Sequence, residues 1–309
     1  METLKLGSTG DDVKVLQEFL NITADGVFGP ETQKTVKIWQ ATYGLTADGV
    51  VGPKTQAAMG LIDTDLADTP DKLSDILVIE KSYLPKGEYF VGPTKKQWLF
   101  LHHTAGWHNP IQTIEAWGRD TRGEVATEFV IGGQSVKGDD NTRDGVLVQA
   151  FPEGGWGWHL GTGRGIMHSN SVGVEVCNFG QLTKGGYTKN KVWVPLKPNS
   201  FYTYVGVEVH PSQIVELKKA FRGHKFWHKY SNKQLDILKD LIYYVANRDG
   251  IDVRKGLPAM VKSIGADAFD FLNVPHVSAN PGLWSHTNVL AGKTDMFPQQ
   301  ELLDLLMSL

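Results

Sequence analysis

Residues 171–178 read SVGVEVCN, with valine at 172, 174 and 176 and a lone carboxylate, Glu175, between the last two. β-Branched residues on alternate positions suit one face of a pleated strand, because successive side chains point to opposite sides of the sheet. The segment is the clearest strand in the chain, and it puts Glu175 on the face opposite the valines. A carboxylate there faces solvent, has an ion-pair partner, or has a task. Burial would raise its pKa toward the range useful to a general base.

Outward from this strand, strand and helix patterns alternate. Residues 97–103 form an apolar strand, 127–132 and 146–151 are strand-like, and 110–121 carry a helical pattern. The strongest helix runs over 231–247. Ser231 and Gln234 have capping-box spacing, Leu238, Leu241, Ile242 and Val245 define one apolar face, and Gly250 stops it. The expected result is an α/β domain with a mixed central sheet and flanking helices.

The first sixty residues are organised differently. TADGVFGPETQ at 23–33 recurs as TADGVVGPKTQ at 46–56, an offset of 23 residues. Each copy reads as an Asp-Gly turn followed by Gly-Pro, the proline starting a helix. Ahead of the first turn Val13, Leu16, Phe19 and Leu20 recur at helical spacing after Asp11 and Asp12; behind it Val36, Trp39 and Tyr43 form a second stripe. A small all-α module is expected over 1–62, an acidic linker over 63–80, and the α/β domain over 81–309.

A chain of 309 residues, 41% hydrophobic and 21% charged, exceeds a single core and has the composition of a folded protein. Its net charge of −3 offers no footprint for phosphate backbones, so nucleic acid is not an expected partner. The single cysteine, Cys177, cannot close an intramolecular disulfide. The start, METLKLGSTGDD, has no secretory pattern and no apolar run reaches the length of a membrane span. A soluble chain without membrane insertion is expected.

The chemistry concentrates in LWSHTNVLAGKTDMFP, residues 283–298, which holds His286, Lys293 and Asp295 in a stretch too rich in Gly, Asn and Pro for an ordinary helix. Far upstream, alternation puts His102 on the same strand face as Trp98 and Phe100, with His103 opposite. Two imidazoles and one carboxylate are the donor set of a catalytic zinc, which keeps its fourth tetrahedral position for water. Spacing alone leaves a structural role for these histidines open. Lys293 and Asp295 are two apart, so an extended backbone projects both to one side. A cation beside a metal-binding carboxylate makes sense where an oxyanion forms near the metal; an isolated loop lysine is otherwise a solvated one.

Four motifs in order, LHHTAG at 101–106, WHLGTG at 158–163, SVGVEV and SHTNVLAGKTD at 285–295, together resemble the zinc-dependent N-acetylmuramoyl-L-alanine amidases of type 2. That family includes phage lysozyme-type amidases, cell-wall recycling amidases and peptidoglycan recognition proteins. The resemblance spans residues 95–309 and is dense around the motifs. It implies a zinc held by His102, His286 and Asp295, a position where other members use cysteine. It also implies Lys293 at the oxyanion, Glu175 as base, and His159 with Trp158 in the substrate pocket. The N-terminal repeat resembles the peptidoglycan-binding module over residues 5–60.

Three departures from the family pattern stand out. Thr127 occupies a position where many members carry tyrosine, which shifts weight onto Glu175. Met296-Phe297 replaces a usual Pro-Gly and is expected at the pocket rim. Residues 180–229 and 251–280 are long relative to compact members, and no role for them follows from the sequence. Together the resemblances imply a monomeric peptidoglycan hydrolase that cuts between N-acetylmuramic acid and L-alanine. The module-first arrangement is similar to phage endolysins, which wait in the host cytoplasm until the membrane is breached and then act on the wall. Two alternatives remain: a non-catalytic peptidoglycan receptor of this fold, and a zinc peptidase cutting within the stem peptide.

Overall fold

The 23-residue repeat has a buried cause. In the computed structural model, which describes residues 3–20, 22–42, 46–52, 55–56, 59, 77–92, 94–121, 123–161 and 163–309, each repeated turn closes around a glutamine. The Gln17 amide donates to Asp25 Oδ1 (2.7 Å), the Val27 carbonyl (3.0 Å) and Thr32 Oγ1 (3.1 Å), and its oxygen accepts the Gly26 N–H at 2.8 Å. Gln40 repeats the arrangement with Asp48 Oδ1 (2.9 Å), the Val50 carbonyl (2.9 Å), Thr55 Oγ1 (3.1 Å) and the Gly49 N–H (2.9 Å). Gly26 and Gly49 sit at φ +74° and +76°, where a side chain is strained. The Asp, Gly and Thr of each copy are therefore recurring partners of one buried amide.

Two helices carry these glutamines, α1 (Asp11–Phe19) and α2 (Pro30–Thr42), and Pro30 takes the first helical position as the Gly-Pro signal predicts. Val13, Leu16, Phe28, Val36, Val51 and Met59 form the core of this unit. Phe19, expected on the buried stripe, is 43% exposed and meets Trp39 edge-on at 5.8 Å. The inward face of α1 runs Val13, Leu16, Gln17, at helical spacing, which turns Phe19 to the flank. Tyr43 and residues 60–76, including most of the expected linker, lie outside the described residues.

The chain divides into Met1–Ile76 and Leu77–Leu309. The second unit is α/β with a mixed sheet at its centre and helices around it. Its strands are β1 (Ile79–Lys81), β2 (Trp98–His103), β3 (Phe129–Ile131), β4 (Leu147–Gln149) and β5 (Ser171–Val176), then β6 (Thr183–Lys184), β7 (Gly186–Lys189), β8 (Val192–Pro195), β9 (Phe201–Tyr202), β10 (Ile214–Phe221), β11 (His224–His228) and β12 (Gly282–Ser285). Six of them form the central sheet in the order β1-β4-β3-β5-β2-β12. All neighbours in it are parallel except β3 and β4. β1 falls at the end of the stretch read as linker, and pairs Ile79 with Leu147. Strands β6 to β11 form three antiparallel pairs, β6 with β9, β7 with β8 and β10 with β11, all inside the long segment after β5.

The helices of this unit are α3 (Pro110–Trp117), α4 (Ile166–Ser169), α5 (Asn232–Asp249), α6 (Leu257–Ile264), α7 (Val274–Ala279) and α8 (Gln300–Ser308). In α5, Ser231 and Gln234 form the capping box read from the sequence, and Gly250 ends the helix at φ +69°. Leu235, Leu238, Leu241, Ile242 and Val245 are buried in the main core, a contribution of roughly 10 kcal/mol before conformational entropy is charged. α3 stops at Trp117, short of the expected 121, where Gly118, a poor helix former, follows. Cys177 follows β5 with no exposure, its sulfur 3.8 Å from Thr113 Oγ1, and burial pushes its thiol up to about 12. Among the described residues no helix is long and apolar enough to cross a membrane.

Candidate metal centre

The sheet order builds the site. β2 lies between β5 and β12, so the C-terminal ends of three parallel strands are adjacent, where α/β sheets place their ligands. Register pairs His102 with Glu175 across β2 and β5. On the other edge Ser285 pairs with Leu101, so His286, the next residue, emerges level with His102.

Polar side chains of LWSHTN then hold the turn. Asn288 donates to the carbonyls of Ala268 (2.9 Å) and Phe271 (2.8 Å), and its oxygen accepts the Ser285 N–H at 3.0 Å. Ser285 Oγ donates to the Asp295 carbonyl (3.2 Å) and accepts the Met296 N–H (3.2 Å). One hydroxyl thus staples the two ends of the loop that carries the second and third candidate ligands.

His102 Nδ1, His286 Nδ1 and Asp295 Oδ2 converge. The two nitrogens are 3.0 Å apart, His286 Nδ1 is 3.0 Å from the carboxylate oxygen, and His102 Nδ1 is 3.4 Å from it. All three side chains are buried. A tetrahedral ion bonded at about 2.0–2.1 Å holds its ligand atoms about 3.3 Å apart, so this triangle has the right size. The donor chemistry fits as well. Burial pushes His102 down to about 4 although Asp295 opposes it, which leaves a neutral ring with a lone pair to offer. Burial works against ionising Asp295, yet hydrogen bonds from His102 and His286 hold its carboxyl well below the ordinary range. Three lone pairs facing one point are better served by a cation than by one shared proton.

Behind His102 runs a chain of hydrogen bonds. Its Nε2 is 3.0 Å from His159 Nδ1; His159 Nε2 is 2.8 Å from Ser171 Oγ; and Ser171 Oγ donates to the His168 carbonyl at 3.3 Å. If Nδ1 of His102 gives its lone pair to a metal, every proton in this chain is assigned: Nε2–H of His102 donates to His159, whose own Nε2–H donates to Ser171. Burial pushes His159 well below its usual value, consistent with a neutral relay. His159, which the resemblance places in the substrate pocket, lines the cavity but also holds a candidate ligand, His102. Replacing it by Phe leaves the His102 Nε2–H without its acceptor. His159→Phe is expected to weaken zinc binding by about tenfold to a hundredfold in a chelator-competition titration, and Ser171→Ala by less.

The remaining candidates line one cavity of about 310 Å³ with the three candidate ligands: Glu175, Lys293, Trp158 and Thr127. Glu175 Oε2 is buried with no hydrogen-bond partner among the described residues. Burial, reinforced by Asp295 and opposed by Lys293, raises its pKa well above the usual value. Trp158 stands 41% exposed at the opening. Thr127 donates its hydroxyl to the Phe129 carbonyl at 3.1 Å, so it offers no free proton in place of a tyrosine. Met296 and Phe297 are not at the rim as expected: both are fully buried, and Phe297 is stacked between Trp227 (4.6 Å) and Tyr230 (4.4 Å). An apolar pair there gains more from the core than from water.

Residues 9–59 match the family described as "Putative peptidoglycan binding domain". No curated protein matches the chain. Among solved structures, it is similar to a Burkholderia AP3 phage endolysin at 36% identity over 24% of this chain and 34% of that one, with a TM-score of 0.19. A fused Zn-dependent amidase/peptidase/peptidoglycan-binding domain-containing protein from Clostridium acetobutylicum is 34% identical over 24% of this chain and 40% of that one, with a TM-score of 0.19. PlyL aligns over 71% of this chain and 86% of its own at 12% identity and a TM-score of 0.37. The chain covers 34% to 40% of the length of the first three structures it matches.

Proposed function

We propose that this protein is a zinc-dependent peptidoglycan amidase that cuts between N-acetylmuramic acid and L-alanine, acting as an endolysin on the host wall once the membrane is breached. The observation that carries the reading is the convergence of His102, His286 and Asp295 at tetrahedral ligand spacing beside Glu175, whose buried Oε2 has no hydrogen-bond partner among the described residues. The peptidoglycan-binding match over residues 9–59 supports the substrate class. His102, His286 and Asp295 would hold the ion, which in such a donor set supplies a water acidified to a pKa of about 7.

The chain's own groups supply the rest. Glu175, on the strand beside His102, takes the proton from the attacking water and returns it to the departing amide nitrogen of alanine. Its raised pKa suits a group that must hold that proton between the two steps. Lys293, on the wall of the same cavity, faces the oxygen that becomes negative as the carbonyl carbon turns tetrahedral. Trp158 forms an exposed wall for the substrate at the opening. Lys293→Met is expected to lower kcat about a hundredfold to a thousandfold with little change in KM, read by release of soluble muropeptide.

Digestion of purified sacculi tests the whole reading. New alanine amino termini without new reducing sugars are expected. Amino termini of other stem residues would move the assignment to a peptidase, and binding without release would move it to a receptor.

A further inference from the structure

We infer that residues 180–229, for which no role follows from the sequence, form a clamp on the ligand loop, with Arg222 as its principal positioning residue. The inference rests on the metal-site reading above.

Arg222 occupies the turn between β10 and β11, where it and Gly223 adopt φ +49° and +83°. Two left-handed residues in a two-residue turn usually call for Asn or Gly. The arginine here is held by three contacts. The guanidinium donates to the Lys293 carbonyl, to the Thr287 carbonyl at 3.2 Å and to Asp270 Oδ1 at 3.2 Å. Its two carbonyl partners stand at opposite ends of the exposed turn around Ala291 and Gly292, between the second and third ligands. A planar fork with several donors can tie two backbone oxygens at once, which a lysine cannot do with the same geometry.

Two further contacts from the same segment reach the same loop. Thr294 Oγ1 donates to Gln181 Oε1 at 3.2 Å, and Trp227 of β11 stacks on Phe297, two residues past Asp295. A fourth contact reaches the facing rim: Tyr204 Oη donates at 2.9 Å to the carbonyl of Ala105, which itself stands at φ +47° three residues after His102. Lys293, Thr294 and Ala105 all line the cavity. A loop with glycine at its tip would otherwise sample positions several tenths of an ångström from productive geometry, a tolerance that metal and oxyanion sites do not allow. The segment replaces that freedom with side-chain contacts from its antiparallel strand pairs and the turns between them.

The test compares Arg222→Met, Gln181→Leu and Asp270→Asn. Zinc affinity is measured by chelator competition, and amide hydrogen exchange over residues 287–295 is measured in metal-free protein. Arg222→Met is expected to weaken zinc binding about tenfold and to speed exchange in that loop alone, about tenfold or more, with kcat falling more than KM rises. Gln181→Leu moves the same readouts in the same direction by less. Asp270→Asn removes the ion pair but keeps both carbonyl bonds, and leaves affinity and exchange at wild-type values. Unchanged exchange and affinity in a folded Arg222→Met protein overturn the clamp; should that variant not fold, the same null result in Gln181→Leu does so. Failure of the wild-type chain to bind zinc would instead remove the metal reading, while the exchange arm still reports on the clamp.

Discussion

Asp295→Ala should bind no zinc at micromolar concentration and release no product from sacculi. Asp295 is the anionic member of the triangle, 3.0 Å from one imidazole nitrogen and 3.4 Å from the other. Without it two neutral rings face an empty corner, and their combined donor strength falls short of the three protein ligands a catalytic zinc takes. Asp295→Cys is the informative companion, because thiolate is a zinc donor at about 2.3 Å and should restore binding. Metal content after dialysis against trace zinc reads both variants, and a folded, fully zinc-loaded Asp295→Ala protein would disprove the ligand assignment. The same carboxylate should also shape acid stability of the metal-free protein. Its folded pKa is depressed, so the stabilisation it gives is complete above the ordinary value of 3.8 and is lost as pH falls below it.

Glu175→Gln separates chemistry from metal. The variant should keep its zinc and lose hydrolysis by about a hundredfold to ten-thousandfold in kcat, the range for a displaced general base. It should also be more stable than the parent when metal-free. Burial holds the folded carboxyl well above its ordinary 4.5, so Glu175's own contribution to wild-type stability is lost as pH rises from that value toward the folded pKa, while the unfolded chain alone gives up its proton. Glutamine has no proton to lose, and the decline should vanish. Thermal melts of both proteins at pH 5 and pH 8, both above the ordinary carboxylate value, read this directly. Equal slopes against pH would show that Glu175 is solvated and unfit as the base.

Much of this site was legible in the chain itself. Alternation in SVGVEVCN placed Glu175 on the strand face opposite the valines, and alternation in the strand ending at His103 placed His102 with Trp98 and Phe100; that the two share a face of the sheet comes from the register alone. The capping residue Ser231 and the stop at Gly250 were equally local signals. What escaped depends on distance across the fold. Gln17 and Gln40 share the repeat's 23-residue offset, yet a glutamine in a helix advertises nothing until its partners are seen eight and fifteen residues on. Ser171 stands on the Glu175 face of β5, a signal available from period two, but only the 2.8 Å contact to His159 gives it meaning. Phe297 was misplaced because its stacking partners, Trp227 and Tyr230, come from about seventy residues upstream, beyond the reach of any local pattern.

The sealed thiol of Cys177 has a practical result. With no exposure and a titration point near 12, it stays protonated and inaccessible to alkylating reagents at neutral pH. The native chain is therefore chemically silent toward maleimides. A fluorophore or spin label introduced through one new surface cysteine, for instance at Asn199 in the exposed turn between β8 and β9, would report from that position alone.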